Sequence, residues 1–450
     1  MNRLSQLLEK KDLSVGIFGV GESNVGAIRY LRQRNPNLTL TVRSDAKKIE
    51  HSIDNVSKCF LGEDSLKNIN EDILLLSPSV KRERKQIAVA KKNGVFISSD
   101  AELFFAVRKS SAIGVTGSDG KSTTTHLIAR AFTLSGIEAV PCGNYGKSLC
   151  SLLDKKVLAV AELSSFQLSY LKPKLSYAVV TNITPNHLNW HSSIEDYILA
   201  KMNITKNADK IIFDADSEIA SLWLGKRDVF CKTSLLKSYH ELKAIGGSEN
   251  YVTYKNGIIY LNGSPLLDIS DSKRKESYNV RNFLLTASAC VEKCKLSTVR
   301  DAIVDFYGLP HRAELILERN GLKFIDSSID SSPERTIKTL SSLEERAIVI
   351  IGGKGKGLSL DTLADKLPHI SKAAVLLGEV GSLLKEILTE RSLDYEFISA
   401  ANMREAIEKA IAMSKGKGII ILSPSATSFD SYKNFEERGN DFKSIVLSLN

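Results

Sequence analysis

The sequence predicts an α/β protein of three domains, and three observations carry that prediction. Short apolar runs bounded by polar turns alternate with helix-patterned segments along the chain, the signature of parallel sheets covered by helices. At 450 residues the chain is too long for one core and long enough for several. Between Gly114 and Thr125 an apolar run leads into a glycine-bearing loop and then into a helical pattern.

The first region spans residues 1–99. Val15 to Phe18 reads as a strand, and Asn24 to Arg34 as a helix with Val25, Ile28 and Leu31 inward. Leu38 to Val42, Ile73 to Ser77 and Val95 to Ser98 read as further strands. The turn Gly19-Val-Gly21, followed by Gly26, is close to a dinucleotide fingerprint, but its third glycine falls two residues late. The expectation is a Rossmann-like domain suited to a nucleotide diphosphate, with no NAD site.

The second region spans residues 100–307 and opens on the run Gly114-Val-Thr-Gly-Ser-Asp-Gly-Lys-Ser-Thr-Thr-Thr125. Ala112 to Val115 forms the strand. The helix begins at Lys121 and Ser122, places Leu127, Ile128, Ala131 and Leu134 on one face and stops at Gly136. Glycines let backbone N–H groups turn inward around phosphate oxygens, and the helix N-terminus adds positive potential. Lys121 can reach terminal phosphates and Ser122 can ligate Mg²⁺, so the region reads as a P-loop ATPase-type α/β domain using a nucleoside triphosphate. One departure from the consensus is Val115, where a glycine is usual. Further strands are expected at Val157 to Ala161, Tyr177 to Thr181 and Ile211 to Asp214. A helix is expected from Ser193, its N-cap, to Asn207, with Glu195 and Asp196 in its first turn. Residues 225 to 275 read as polar and irregular apart from a hairpin near Tyr254-Lys-Asn-Gly-Ile258, and a helix runs from Asn279 to Lys293.

The third region spans residues 308–450. Strands at Leu322 to Ile325, Ala347 to Ile351, Ala373 to Leu377 and Ile419 to Leu422 alternate with helices, which predicts a second Rossmann-like domain built on a parallel sheet. Ser332-Pro-Glu-Arg335 supplies an N-cap and a proline at the first helical position.

Composition narrows the class. Net charge is +9, with dispersed Lys and Arg and 7% aromatic residues, which favours anionic small ligands and gives no nucleic-acid footprint. No apolar run is long enough to span a bilayer, and the N-terminus has no signal-peptide pattern. The six cysteines show no zinc spacing, so free thiols in a cytoplasmic protein are expected. The basic cluster Lys81-Arg-Glu-Arg-Lys85 with Lys91 and Lys92 reads as one face of a surface helix.

Polar residues gather at expected strand ends, where open α/β sheets bind ligands. One strand runs into Glu162-Leu-Ser-Ser-Phe-Gln167 and another into Asn182-Ile-Thr-Pro-Asn-His187. Glu162 is a hard oxygen ligand suited to Mg²⁺, and His187 suits a second metal site.

Four segments together resemble a known family. Gly117-Ser-Asp-Gly-Lys-Ser122, Glu162-Leu-Ser-Ser-Phe-Gln-Leu168, Gly308-Leu-Pro-His-Arg312, and Leu422-Ser-Pro-Ser-Ala-Thr-Ser-Phe-Asp430 with Lys433-Asn-Phe-Glu-Glu-Arg-Gly439 look like the Mur ligases. The second and fourth are closest to the member that adds D-glutamate, and the likeness covers essentially the whole chain. The phosphate loop alone is shared with sister ligases and with folylpolyglutamate synthase.

The resemblance implies that the first domain holds UDP, the second MgATP and the third glutamate. D-glutamate would be joined to UDP-N-acetylmuramoyl-L-alanine through an acyl phosphate, by a cytoplasmic monomer with no nucleic-acid or membrane partner. It places Gly117, Ser118, Asp119, Gly120, Lys121, Ser122, Thr123, Asn282, Arg312 and Asp326 at ATP. Ser122, Glu162, Ser164, His187 and a carbamylated Lys201 would hold two Mg²⁺ ions. Asn144, Ser165 and Gln167 would meet the muramoyl substrate. Ser331, Lys356, Ser428 and the backbone at Phe435 would hold glutamate, with Lys354 a rival for Lys356. Lys121, Glu162, His187 and Lys201 would be catalytic. By its own context Lys201 reads as an ordinary exposed helix lysine, and Lys356 as part of a flexible glycine-rich turn.

The chain departs from the family's pattern at Asn186, where an aspartate is common, and at Ser327 and Ile329, where an aspartate and a lysine are common. Asp326 stands one residue before the expected aspartate. A nucleotide-binding protein without catalysis is the competing reading from another class; intact Lys121, Glu162, His187 and Lys201 argue against it.

Overall fold

The computed structural model describes residues 3–46, 53, 55–110, 112–187, 190–224, 230–244, 250–275, 277–355, 358–392, 394–428 and 432–449. The chain divides into two compact units, Met1–Phe306 and Tyr307–Asn450. The first holds two sheets and the second one.

The N-terminal sheet consists of β1 (Ser14–Phe18), β2 (Thr39–Ser44), β3 (Lys58–Leu61), β4 (Ile73–Leu76) and β5 (Phe96–Ser98). Its order is β3-β2-β1-β4-β5, with every neighbour parallel. The strand order reverses between β1 and β4, as in a Rossmann-type half, so the expected architecture is present. Sequence patterning missed β3 and the opening helix Arg3–Leu8. Lys85, Lys91 and Lys92 of the basic cluster lie on the helix Lys85–Lys92, which buries Ile87 and Ala90, but Lys81 to Arg84 precede it in a turn, which corrects the reading of a single helix face.

The second sheet contains β6 (Ala112–Thr116), β7 (Ala139–Gly143), β8 (Leu158–Glu162), β9 (Lys174–Val180), β10 (Asn207–Asp214), β11 (Cys231–Ser234), β12 (Asn250–Lys255), β13 (Ile258–Leu261) and β14 (Ser264–Asp268). Its order is β14-β13-β12-β11-β10-β9-β6-β8-β7. The pairs from β7 to β12 are parallel, and β12-β13-β14 is an antiparallel meander. The irregular reading of residues 225 to 275 is therefore corrected, although its hairpin stands, turning at Asn256 and Gly257 with positive φ. Polarity hid these strands: Lys232, Thr233 and Ser234 of β11 are all buried. Among the described residues no helix is long and apolar enough to cross a membrane.

The sheet of the second unit contains β15 (Glu314–Arg319), β16 (Leu322–Asp326), β17 (Ala347–Gly352), β18 (Ser371–Leu377), β19 (Phe397–Ser399) and β20 (Gly418–Leu422). The order is β15-β16-β20-β17-β18-β19. It is parallel except for β15, which joins β16 as an antiparallel edge strand. The all-parallel expectation is corrected at that edge, where β15 is only half-buried and its burial pattern carries little signal. Pro333 begins the helix Pro333–Ser341 as expected, but Ser332 makes no side-chain cap bond.

Core packing follows the sheets. One buried apolar cluster runs from Leu4 to Tyr251 and includes residues of both sheets in the first unit. The helix Asp100–Val107 lies inside it through Leu103 and Phe104, capped by Ser99, whose hydroxyl accepts from the Glu102 amide. In the second unit Val349 and Ile350 of the same strand enter clusters on opposite faces, so that sheet is covered on both sides.

A buried ion pair anchors the N-terminal sheet. Arg43, at the end of β2 and fully buried, donates through Nε and Nη2 to Glu71 Oε1 at 2.9 and 2.8 Å, and to the carbonyls of Ser65, Lys67 and Asn68. Breaking such a pair leaves an unpaired buried charge. Glu71→Gln should therefore destabilise the fold by about 3–5 kcal/mol. The check is urea unfolding: an earlier transition is expected in Glu71→Gln, and an unchanged one would refute the pair's role.

Candidate active site

β6 lies between β8 and β9, so the loops that follow these three strands are neighbours. They are the phosphate loop, the Glu162–Gln167 turn and the Thr181–His187 loop. This is how residues far apart in sequence come to one place.

The phosphate loop needs its glycines. Gly117 has φ of 149°, and a Cβ there would lie 1.8 Å from Thr181 Oγ1 and 2.9 Å from Asn182 O. Gly120, the N-cap of the helix Lys121–Leu134, is left-handed at φ 76°, and a Cβ would lie 2.1 Å from Asn282 Oδ1. Val115, the departure from the consensus, is a fully buried residue of β6. The loop is fastened to the strand beside it. Ser118 N donates to Asn182 O at 2.8 Å, Asp119 N to Asn182 Oδ1 at 2.8 Å, and Thr181 Oγ1 to Asp119 O at 2.6 Å. Lys121 Nζ donates to Ser118 O at 2.8 Å, Ser122 is buried and Thr123 is half-buried.

The hydroxyl of Ser118 does more than its sequence position suggests. It donates to Thr184 O at 2.9 Å and accepts from Thr184 N at 2.9 Å. Tyr197 OH lies 2.7 Å away, and with the single Ser118 proton already given, tyrosine must be the donor. Ser118 thus joins three segments, and its hydroxyl holds the loop in place. Nothing in the sequence pattern marked Tyr197 or Thr184.

Glu162, at the end of β8, is almost fully buried. Its Oε1 accepts from Asn144 Nδ2 at 2.7 Å, while its Oε2 is buried with no hydrogen-bond partner. A buried carboxylate oxygen without a donor is costly, and a divalent cation would satisfy it. Asn144, expected at the muramoyl substrate, is thereby tied to the Glu162 carboxylate. Ser164 caps the short helix Ser165–Leu168 in a capping box with Gln167, which commits the Gln167 carboxamide oxygen to Ser164 N at 2.9 Å and Ser164 Oγ at 3.0 Å.

Lys201 overturns the plain reading of an exposed helix lysine, because it is 2% exposed. It lies on the helix Ile194–Met202, donates to Gly117 O at 2.6 Å and sits 4.7 Å from the centre of the Tyr197 ring. Burial holds its ammonium well below the usual lysine range. The Lys121 charge adds to that, and Glu162 and Asp119 oppose it. His187 is exposed at φ 55°, with its ring edge-on to Phe166 at 5.0 Å. Partial burial and the charges of Lys201 and Lys121 lower its pKa.

A further link was not legible in the sequence. Ser165 Oγ is 3.0 Å from His191 Nε2, and His191 Nδ1 is 3.3 Å from Asp196 Oδ2. Asp196 belongs to the helix that carries Lys201, whose N-cap Ser193 accepts from the Asp196 amide as the sequence suggested. Burial holds the His191 pKa down, with Asp196 opposing. The chain of contacts ties the Glu162 turn to the Lys201 helix. Its only sequence signal was a histidine and an aspartate flanking a helix start.

Asn282 is buried beside the phosphate loop, accepting from Thr124 Oγ1 at 3.4 Å. In the second unit Arg312 is exposed, whereas Asp326 is fully buried. Asp326 Oδ2 pairs with His311 Nδ1 at 2.7 Å and Oδ1 accepts from Ser328 N at 2.8 Å, so this carboxylate is committed to holding its own loop. Ser331 and Ser428 follow β16 and β20, which are adjacent strands, and Lys354 follows β17, the next neighbour. Phe435 O accepts from Ser328 Oγ at 2.8 Å. Lys356 lies outside the described residues.

Comparison with known proteins agrees with this arrangement. Residues 115–257 match the Mur ligase middle domain. A UDP-N-acetylmuramoylalanine--D-glutamate ligase of Ruminiclostridium cellulolyticum is 34% identical over 100% of this chain and 99% of its own length. One of the same name from Acetivibrio thermocellus is 34% identical over 98% of this chain and 97% of its own length. A solved UDP-N-acetylmuramate-alanine ligase of Thermotoga maritima superimposes with a TM-score of 0.56 at 18% identity, covering 97% of this chain and 99% of its own, which shows the shared fold. Likeness sustained along whole chains at this level carries the family with it, and the chain belongs to the Mur ligase family.

Proposed function

We propose that this chain is an ATP-dependent amide ligase that joins D-glutamate to UDP-N-acetylmuramoyl-L-alanine through an acyl phosphate. The observation that carries the reading is the meeting of the phosphate loop, the unsatisfied Glu162 oxygen and buried Lys201 beside adjacent strand ends, in a chain whose full-length relatives bear that activity in their names. Residues 1–99 would take the UDP moiety, 100–307 MgATP and 308–450 glutamate, in a cytoplasmic monomer.

In the first step a carboxylate oxygen of the L-alanine attacks the γ-phosphorus of ATP. An O–P bond forms, the bond to the β-phosphate oxygen breaks, and ADP leaves. In the second, the neutral amine of D-glutamate attacks the acyl carbon. The tetrahedral intermediate then expels phosphate, and the nitrogen loses a proton to leave the amide. Phosphoryl transfer asks the protein for positioning and charge neutralisation rather than covalent chemistry. The start of the helix Lys121–Leu134, set by a loop that Asn182 and Thr181 hold in place, would turn its positive end toward the phosphates, and the Lys121 ammonium would neutralise terminal phosphate charge. Two Mg²⁺ ions would neutralise the charge that spreads over the transferring group, held by Ser122, Glu162 and Ser164 and by His187 with Lys201 as its carbamate.

Carbamylation of Lys201, which the family resemblance suggests, is supported by its burial. Its amine nitrogen would add to CO₂ carbon and lose a proton, leaving a carbamate whose two oxygens suit a hard cation. Burial favours the neutral amine that this addition needs. Asn186, which replaces a common carboxylate, makes such a ligand more important here.

The direct test is phosphate release by purified protein with UDP-N-acetylmuramoyl-L-alanine, MgATP and, in turn, D-Glu, L-Glu and D-Asp. Release with D-Glu alone is expected, and release with none of them would sink the reading. Lys121→Ala should fold normally yet lower kcat by about 10²–10³-fold; unchanged turnover would refute the phosphate-loop assignment. Lys201→Ala should lose most activity and recover part of it with formate or acetate. Full activity without response to either acid, or electron density showing a plain lysine in the intact site of active, Mg²⁺-loaded enzyme, would disprove the carbamate. For glutamate, Lys356→Ala should raise the KM for D-glutamate far more than that for ATP; a selective effect on ATP would hand the role to Lys354.

A further inference from the structure

Arg438 sits in the segment Lys433-Asn-Phe-Glu-Glu-Arg-Gly439, on the helix Phe435–Leu447, and is 2% exposed. Its guanidinium reaches each of the loops that follow β16, β20 and β17. Nε donates to Ser328 Oγ at 3.0 Å and Nη2 to Ser328 O at 2.9 Å, after β16. Nη2 also donates to Ala426 O at 3.0 Å, and Nη1 to Thr427 O at 3.0 Å, after β20. Nη1 lies 3.5 Å from Gly352 O, at the end of β17.

Neighbouring bonds carry this grip further. Thr427 O also accepts from Lys354 N at 3.0 Å, and Thr427 N donates back to Lys354 O at 3.1 Å, so the β17 and β20 loops are laced together behind the guanidinium. Ser328 Oγ, while accepting from Arg438, donates to Phe435 O at 2.8 Å. Gly353 permits the close approach, since a Cβ there would stand 2.3 Å from Thr427 O and 2.9 Å from Arg438 Nη1.

We infer that Arg438 is the positioning residue of the glutamate site. The inference rests on the reading of residues 308–450 as the glutamate-binding part. Described residues assigned to glutamate, or standing as a rival for it, lie on the loops that Arg438 fastens: Ser331 after β16, Ser428 after β20 and Lys354 after β17. In a trans peptide the next N–H points opposite to the carbonyl. With Thr427 O drawn to Arg438, the Ser428 amide is turned away from the guanidinium, and so is the Gly353 amide that follows Gly352 O. A planar fork with several fixed donors can hold three loops at once, which a lysine ammonium on a flexible stem cannot.

The test is steady-state kinetics with separate KM values for D-glutamate, ATP and UDP-N-acetylmuramoyl-L-alanine. Arg438→Lys should raise the KM for D-glutamate about tenfold or more, because ångström-scale misplacement of contact groups has effects of that order, and leave the other two within about twofold. Ser328→Ala removes one acceptor from the guanidinium and the link to Phe435, and should give a smaller rise selective for D-glutamate. It decides the matter if Arg438→Lys fails to fold. Ser428→Ala is the control for the underlying reading. A raised glutamate KM in Ser428→Ala with none in Arg438→Lys and Ser328→Ala would overturn the positioning role and leave the glutamate assignment standing. No change in any of the three would overturn both. An equal rise in all KM values for Arg438→Lys and Ser328→Ala would mark Arg438 as a general support of the fold and overturn the inference.

Discussion

The single proton of the Ser118 hydroxyl constrains the active site. It goes to Thr184 O, which obliges Tyr197 to donate, so the phosphate loop, the loop that ends at His187 and the helix that bears Lys201 share one junction. Such a junction has one satisfied arrangement, because a buried hydroxyl left without a partner costs about 1–3 kcal/mol. Lys201 Nζ on Gly117 O adds a second tie between the same loop and helix. The His191 contacts to Ser165 and Asp196 bring the Glu162 turn into register with them. A site that neutralises phosphate charge works by preorganisation, and these bonds hold its loops in one arrangement.

Lys201 and Glu162 show how burial bears on chemistry. An ammonium shut away from water, beside a second lysine, is held in a place that disfavours its charge. A buried carboxylate with one oxygen satisfied by Asn144 and the other by no partner among the described residues is equally incomplete. Both residues lie on elements bordering the same loop. A buried ammonium held against its charge and a carboxylate oxygen without a donor, on elements beside one loop, fit a site completed by ligands.

The second unit solves a similar problem with a different group. There the loops after neighbouring strands are gathered by the Arg438 guanidinium rather than by a hydroxyl junction. Asp326 belongs to that scaffold too. It is paired with His311 and accepts from the Ser328 amide, so both of its oxygens help to hold their own loop. The departures from the family pattern at Ser327 and Ile329 therefore fall in a loop already fixed by its neighbours, Ser327 N bonding to Leu422 O and Ile329 N to His311 O.

By itself the sequence determined the local chemistry: the strand, glycine loop and helix around Lys121, the capped helix from Ser193, the hairpin at Asn256-Gly257, and the polar residues at strand ends. Each is written in contiguous residues, through periodicity, turn-forming glycines or caps, so each is legible without a fold. The family likeness added roles to single positions, and for Lys201 and Lys356 nothing else in the sequence pointed to them. Only the tertiary structure decided that β6 lies between β8 and β9 and that β20 lies between β16 and β17, because strand order is set by long-range packing. It also decided burial. Polar strand β11 vanished into the sheet, Lys201 went inside, and Tyr197, His191 and Arg438 became the groups that hold the loops. A side chain's partners across tens of residues depend on where the chain returns, and no local pattern carries that information.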